Sequence, residues 1–107
     1  MEYKKLAKII KKKSMIYHQI FRDENFAIYG TGSLNNSFLG YEVFEIPRHD
    51  GYIIKDNKID PSEFYPKDEL FGYLAFYCQT RERADLRLKQ LRDMKKIRDD
   101  NKVLRDE

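Results

Sequence analysis

The chain has 107 residues, 36% charged, 41% hydrophobic and 14% aromatic, with one cysteine and no tryptophan. That length accommodates one small domain spanning residues 1–107. A lone cysteine excludes an internal disulfide, and no apolar run approaches the ~20 residues of a membrane span. The net charge of +3 conceals segregation: +6 over residues 1–22, −6 over 23–80 and +3 over 81–107.

Tyr3, Leu6, Ala7 and Ile10 fall at helical spacing with lysines opposite, which predicts a basic amphipathic helix over residues 1–13. Ser14–Phe21 is open to either continuing that helix or forming a strand. The β-branched and aromatic content of Met15–Phe21 tips it toward a strand. Asp23-Glu24-Asn25 is turn chemistry before a second strand at Phe26–Tyr29, and Gly30 to Ser37 reads as loop throughout.

Tyr41–Ile46 alternates, with Tyr41, Val43 and Glu45 on one face and Glu42, Phe44 and Ile46 on the other, until Pro47 ends the run. Asp50-Gly51 is a turn into Tyr52–Lys55, and Asp56-Asn57 a second one that folds Lys58-Ile59 back as a hairpin. Asp60–Gly72, with two prolines, reads as an ordered loop with one helical turn. Tyr73–Gln79 is the most apolar run and is expected to be a central strand. Thr80 is placed to cap a long helix over residues 80–105 whose apolar stripe includes Ala84, Leu88, Leu91 and Ile97. The expected fold is therefore α+β: an N-terminal helix, an antiparallel sheet of about four or five strands within residues 15–79, and a C-terminal helix packed on one face.

Little in the chain points to a reaction. His18 and His49 are the only histidines, and neither Cys-x-x-Cys nor His-x-x-x-His spacing exists for a zinc site. Cys78 lies in an apolar run that favours an inert buried thiol. The Gly30-Thr31-Gly32-Ser33 stretch lacks the third glycine of a dinucleotide fingerprint, since position 35 is Asn35, and it lacks the Gly-Lys-Ser/Thr of a phosphate loop. A nucleotidyltransferase-like site would need paired carboxylates, yet Glu42 and Glu45 are three apart and point to opposite strand faces. No catalytic residue, metal or cofactor is assigned. An unpaired cysteine and the absence of a secretory-type apolar run lead to an expectation of cytoplasmic residence.

Two resemblances emerge. Leu74–Leu91 resembles the third strand and second helix of an RNA-recognition motif, but the inserted Leu74 shifts Tyr73 off the stacking face and the chain ends in a helix instead of a fourth strand. The second joins Tyr41–Ile46 to the Glu63-x-x-Pro66-x-x-Glu69-x-x-Gly72 loop, then a strand and a helix containing Ala84. This pattern resembles small accessory proteins of phages and mobile elements, anti-CRISPR inhibitors among them. It implies a non-enzymatic protein of the bacterial host cytoplasm that modulates a host protein or ribonucleoprotein such as a CRISPR nuclease. It assigns no inhibitory role to any residue.

Interface energetics are dominated by aromatics, so Tyr41, Tyr52, Phe64, Tyr65 and Phe71, together with the acidic Glu42 and Glu45, are the expected partner-binding residues. For each aromatic the plainer alternative is a place in the core. Direct RNA or DNA binding is the competing reading, through Lys4, Lys8, Lys11 and Lys12 on the basic N-terminus and Arg81, Arg83 and Arg87 on the final helix. Solvated, solubilising lysines are the plainer alternative there.

Overall fold

In the computed structural model, which describes residues 2–33 and 38–106, with the side chains of Phe38 and of residues 102–106 excluded, the lysine-rich N-terminus is extended. Ile9–Lys12 (β1) pairs antiparallel with Met15–Arg22 (β2) across a two-residue turn in which Lys13 adopts a φ of 53°. The predicted N-terminal helix is thus replaced by one arm of a hairpin. The physical reason lies in the spacing. Leu6 and Ile10 are four apart, which fits one face of a helix and equally one face of a strand, and both pack against the same side of the sheet. A lone helix of this length is marginal in water, whereas β1 gains a ladder of interstrand hydrogen bonds with β2.

β2 forms as its β-branched and aromatic content predicts, with a register shift between Gln19 and Phe21 that leaves Ile20 outside the pairing. Asp23 then turns the chain by accepting hydrogen bonds from the N–H groups of Asn25 (2.9 Å) and Phe26 (2.8 Å). Phe26–Ser33 (β3) and Phe38–Glu45 (β4) follow, so Gly30–Ser33 is strand and not loop; Leu34–Ser37 lies outside the described residues. Ala75–Cys78 (β9) adds to β4 and completes an antiparallel sheet of order β1-β2-β3-β4-β9. The run expected as the central strand is therefore an edge. β3 is central instead, buried from Phe26 to Thr31 because both faces of the sheet are covered.

One face carries the helix Arg81–Asp106 (α1), whose first turn is capped by Thr80 Oγ1 accepting from the Arg83 N–H at 3.2 Å. Ala84, Leu88 and Leu91 bury against Phe26, Ile28, Val43 and Cys78. The other face is covered by the N-terminal arm and residues 47–74. Here Ala27, Tyr29, Phe44, Ile46 and Ala75 form a second cluster with Tyr17, Tyr65 and Phe71 against it. The covering segment contains two small ladders, Arg48–His49 (β5) with Ser62–Glu63 (β8), and Tyr52–Ile54 (β6) with Asn57–Ile59 (β7), then a 3₁₀ turn at Asp68–Leu70.

Candidate functional site

Glu63 is the most deeply placed carboxylate of the covering layer. Its side chain is fully withdrawn from solvent and accepts two hydrogen bonds from Arg22 (2.6 and 2.9 Å), one from Arg48 (3.0 Å) and one from the Leu6 N–H (3.0 Å). Burial alone would raise its pKa; the hydrogen bonds from Arg22, Leu6 and Arg48 overcome that and hold it down at about 2. A carboxylate so saturated has no free lone pair with which to move a proton. What it does is tie β2, β5, β8 and the N-terminal arm together, and the sequence alone does not bring these residues into register.

The aromatics and acids named from sequence separate into three places. Tyr65 sits among Tyr17, Tyr29 and Phe44 at centroid distances of 5.4, 5.2 and 4.9 Å, and its hydroxyl donates to Glu42 at 2.6 Å. Burial, and then the Glu42 charge, push the Tyr65 hydroxyl far above the usual phenol range. Burial likewise pushes Glu42 up, partly offset by the Tyr65 hydrogen bond and by Lys12, whose ammonium lies 5.2 Å from the Tyr65 ring. Phe71 packs against this same cluster. On the helix side, Tyr41 packs on the other core cluster, and Glu45 accepts from Arg98 at 2.9 Å.

Tyr52 and Phe64 form the third group. His49 bridges them, with its ring 5.1 Å from Tyr52 and 6.0 Å from Phe64. They stand at the root of the β6–β7 hairpin, where three consecutive large side chains reach solvent: Tyr52, Ile53 and Ile54 are 49%, 75% and 50% exposed, whereas Ile9 and Tyr73 are exposed singly elsewhere in the covering layer. Its tip is the pair Lys55-Asp56 with φ of 48° and 68°, the left-handed geometry of a tight hairpin turn. Its base is set by Gly51, at φ 93°, where any Cβ would meet the Ile59 carbonyl oxygen at 2.8 Å. A groove of about 430 Å³ lies alongside, with Pro61 and Ile59 in its wall. Ile53 and Ile54 were not singled out from sequence; the signal was an apolar triplet closed by turns on both sides and too short to cover itself.

The cations also divide. Lys4, Lys8, Lys11 and Lys12 belong to the N-terminal arm and β1, while Arg81, Arg83 and Arg87 follow β9. β1 and β9 are opposite edges of the five-stranded sheet, so four strand spacings, about 19 Å, separate them. Lysines along an edge strand such as β1 also discourage pairing with another sheet. Arg81 is engaged with Asp85 at 2.9 Å, whereas Arg83, Arg87, Leu86 and Gln90 face Tyr77 and Cys78 across a groove of about 530 Å³. Burial pushes the Cys78 thiol up, with Arg87 and Arg83 opposing the shift, which leaves it a poor nucleophile.

Among the described residues, no three His, Cys, Asp or Glu side chains gather into a metal-sized group, and no helix is long and apolar enough to cross a membrane. No protein-family model matches the chain, and neither curated proteins nor solved structures match it.

Proposed function

We propose that the protein is a non-enzymatic binding protein that engages a protein or ribonucleoprotein partner through the β6–β7 hairpin. The observation that carries this reading is the exposure of Tyr52, Ile53 and Ile54 on one short ladder held out by Gly51. A two-stranded ladder gains little stability by itself, so three large apolar side chains at its surface are best accounted for by a surface that buries them. The titratable groups that a reaction would recruit are occupied internally: Glu63 with Arg22 and Arg48, and Glu42 with Tyr65. Direct nucleic-acid binding would draw on one continuous basic surface, and here the cations stand at opposite sheet edges.

The resemblance to phage and mobile-element accessory proteins directs the search for a partner to a bacterial cytoplasm, with CRISPR nucleases among the candidates. A photo-crosslinking residue at position 53, introduced into the full chain and irradiated in bacterial lysate, tests the reading. One defined adduct from position 53, and none from the exposed Lys89 position on α1, is expected. Equal labelling from both positions, or none from either, would contradict it.

A further inference from the structure

We propose that the groove between the free edge of β9 and the first turns of α1 binds an extended acidic peptide segment, which joins the sheet as a sixth strand next to β9. Three observations on this face carry the inference independently of the hairpin.

The first is a sheet edge that pairs with no further strand among the described residues. Glu45 donates its N–H to the Leu74 carbonyl at 3.0 Å, and Leu74 continues the β4–β9 ladder in the order Phe76, Cys78. In an antiparallel pair the bonding residues alternate, so Tyr77 directs its N–H and C=O away from β4. The neighbouring Ala75 carbonyl is already taken by the Gly72 N–H at 2.7 Å, which closes one end of the edge, while no strand pairs at the Tyr77 end among the described residues.

The second is charge. Of the arginines on α1 with described side chains, Arg81 pairs with Asp85, Arg92 with Asp23 and Arg98 with Glu45. Arg83 and Arg87, which face the groove, meet no carboxylate among the described residues, and no acidic side chain lines the groove. Arg87 is held over the Phe76 ring at 4.1 Å, so its guanidinium is already positioned before anything binds.

The third is spacing. One helical turn separates Arg83 from Arg87, about 6 Å along the axis, and alternate residues of a strand are about 6.8 Å apart. A strand laid along β9 presents every second side chain toward α1, so carboxylates two residues apart match the two arginines. Leu86, 59% exposed, supplies apolar contact beside them. Backbone pairing for affinity and side-chain pockets for selection is the general logic of strand addition.

The test uses the full chain, a fluorescent heptapeptide Thr-Val-Glu-Val-Glu-Val-Thr, its counterpart with both Glu replaced by Gln, and a ten-nucleotide thymidine strand. Anisotropy should detect the acidic peptide alone, with chemical-shift changes centred on Tyr77, Arg83 and Arg87 in the labelled protein. The double variant R83Q/R87Q should bind at least tenfold more weakly while remaining folded, as its circular dichroism and amide spectrum report. Methylating the backbone nitrogens of one alternating set of peptide residues should abolish binding, and methylating the other set should not. The proposal is overturned if the acidic peptide does not bind, if the Gln peptide or the oligonucleotide binds as well as it does, if R83Q/R87Q retains full affinity, or if the two methylated peptides behave alike.

Discussion

The guanidinium of Arg22 grips the carboxylate of Glu63 through a two-pronged contact, 2.6 Å to one oxygen and 2.9 Å to the other, across 41 residues of sequence. Because the carboxylate is withdrawn from solvent, removing its charge strands Arg22 and Arg48 against an amide. Glu63→Gln is expected to cost about 3 kcal/mol in urea denaturation at pH 7. The sign of the pH dependence follows from the depressed pKa. Stability from this group is complete above the ordinary value of 4.5 and drains away as pH falls toward about 2. The gap between wild type and variant should therefore narrow below pH 4.5 and close near pH 2. A gap independent of pH would contradict the assignment.

Glu42 has the opposite sign. Burial raises its pKa, so the folded state prefers the protonated acid, and stability falls as pH rises from 4.5 through the elevated value. Gln at this position keeps an acceptor for the Tyr65 hydroxyl without a buried charge. Glu42→Gln is expected to stabilise the protein at pH 7, with the advantage vanishing below pH 4.5. Thermal melts at pH 7 and pH 4 check this; destabilisation at pH 7 would count against it.

Lys13 separates the hairpin from the helix that the N-terminal sequence invites. At a φ of 53° it holds a conformation that costs a side-chain-bearing residue ~1 kcal/mol and costs glycine little. Lys13→Gly should raise the melting temperature by about 4 °C. Within a helix the same change would lower it, since glycine is ~1 kcal/mol worse than most residues there. Calorimetric scans of the two proteins read the sign directly.

Where sequence and structure agree, the determinants are local. The side-chain oxygens of Asp23 and Thr80 act on N–H groups two or three residues away, and the apolar stripe through Ala84, Leu88 and Leu91 has one period compatible with its length. Alternation in Tyr41–Ile46 likewise sends Val43 to the helix side and Phe44 to the opposite cluster. The β6–β7 turn was legible but displaced by one residue, onto Lys55-Asp56, because two adjacent non-glycine residues there adopt positive φ. Disagreement arises where a pattern has two solutions, as with Leu6 and Ile10, or where partners are remote. Nothing local tells that Arg22, Arg48 and Glu63 meet, or that Tyr65 fills a ring of aromatics instead of facing solvent. The apolarity of Tyr73–Gln79 reads as a central strand, yet Ala75–Cys78 is an edge that is covered on both faces, Phe76 and Cys78 by α1 and Ala75 by the opposite cluster.

Gly40 is a second position fixed by close approach. The Tyr77 ring crosses β4 above it and donates its hydroxyl to the Leu39 carbonyl at 2.8 Å; a Cβ on residue 40 would collide with that ring and come within 2.8 Å of the Cys78 carbonyl oxygen. Gly40→Ala should destabilise the domain by about 2 kcal/mol and displace Tyr77. Chemical denaturation and the ring resonances of Tyr77 report the two effects separately.

The claim that the hairpin is a docking element is tested most directly by calorimetric titration of the crosslinked partner, once purified, with wild type and Ile53→Asp. Ile53 is 75% exposed, so the substitution should leave folding stability within about 0.5 kcal/mol of wild type. The account predicts an affinity at least about thirtyfold weaker, the scale of an interface hot spot. An unchanged affinity in a folded Ile53→Asp protein would contradict it.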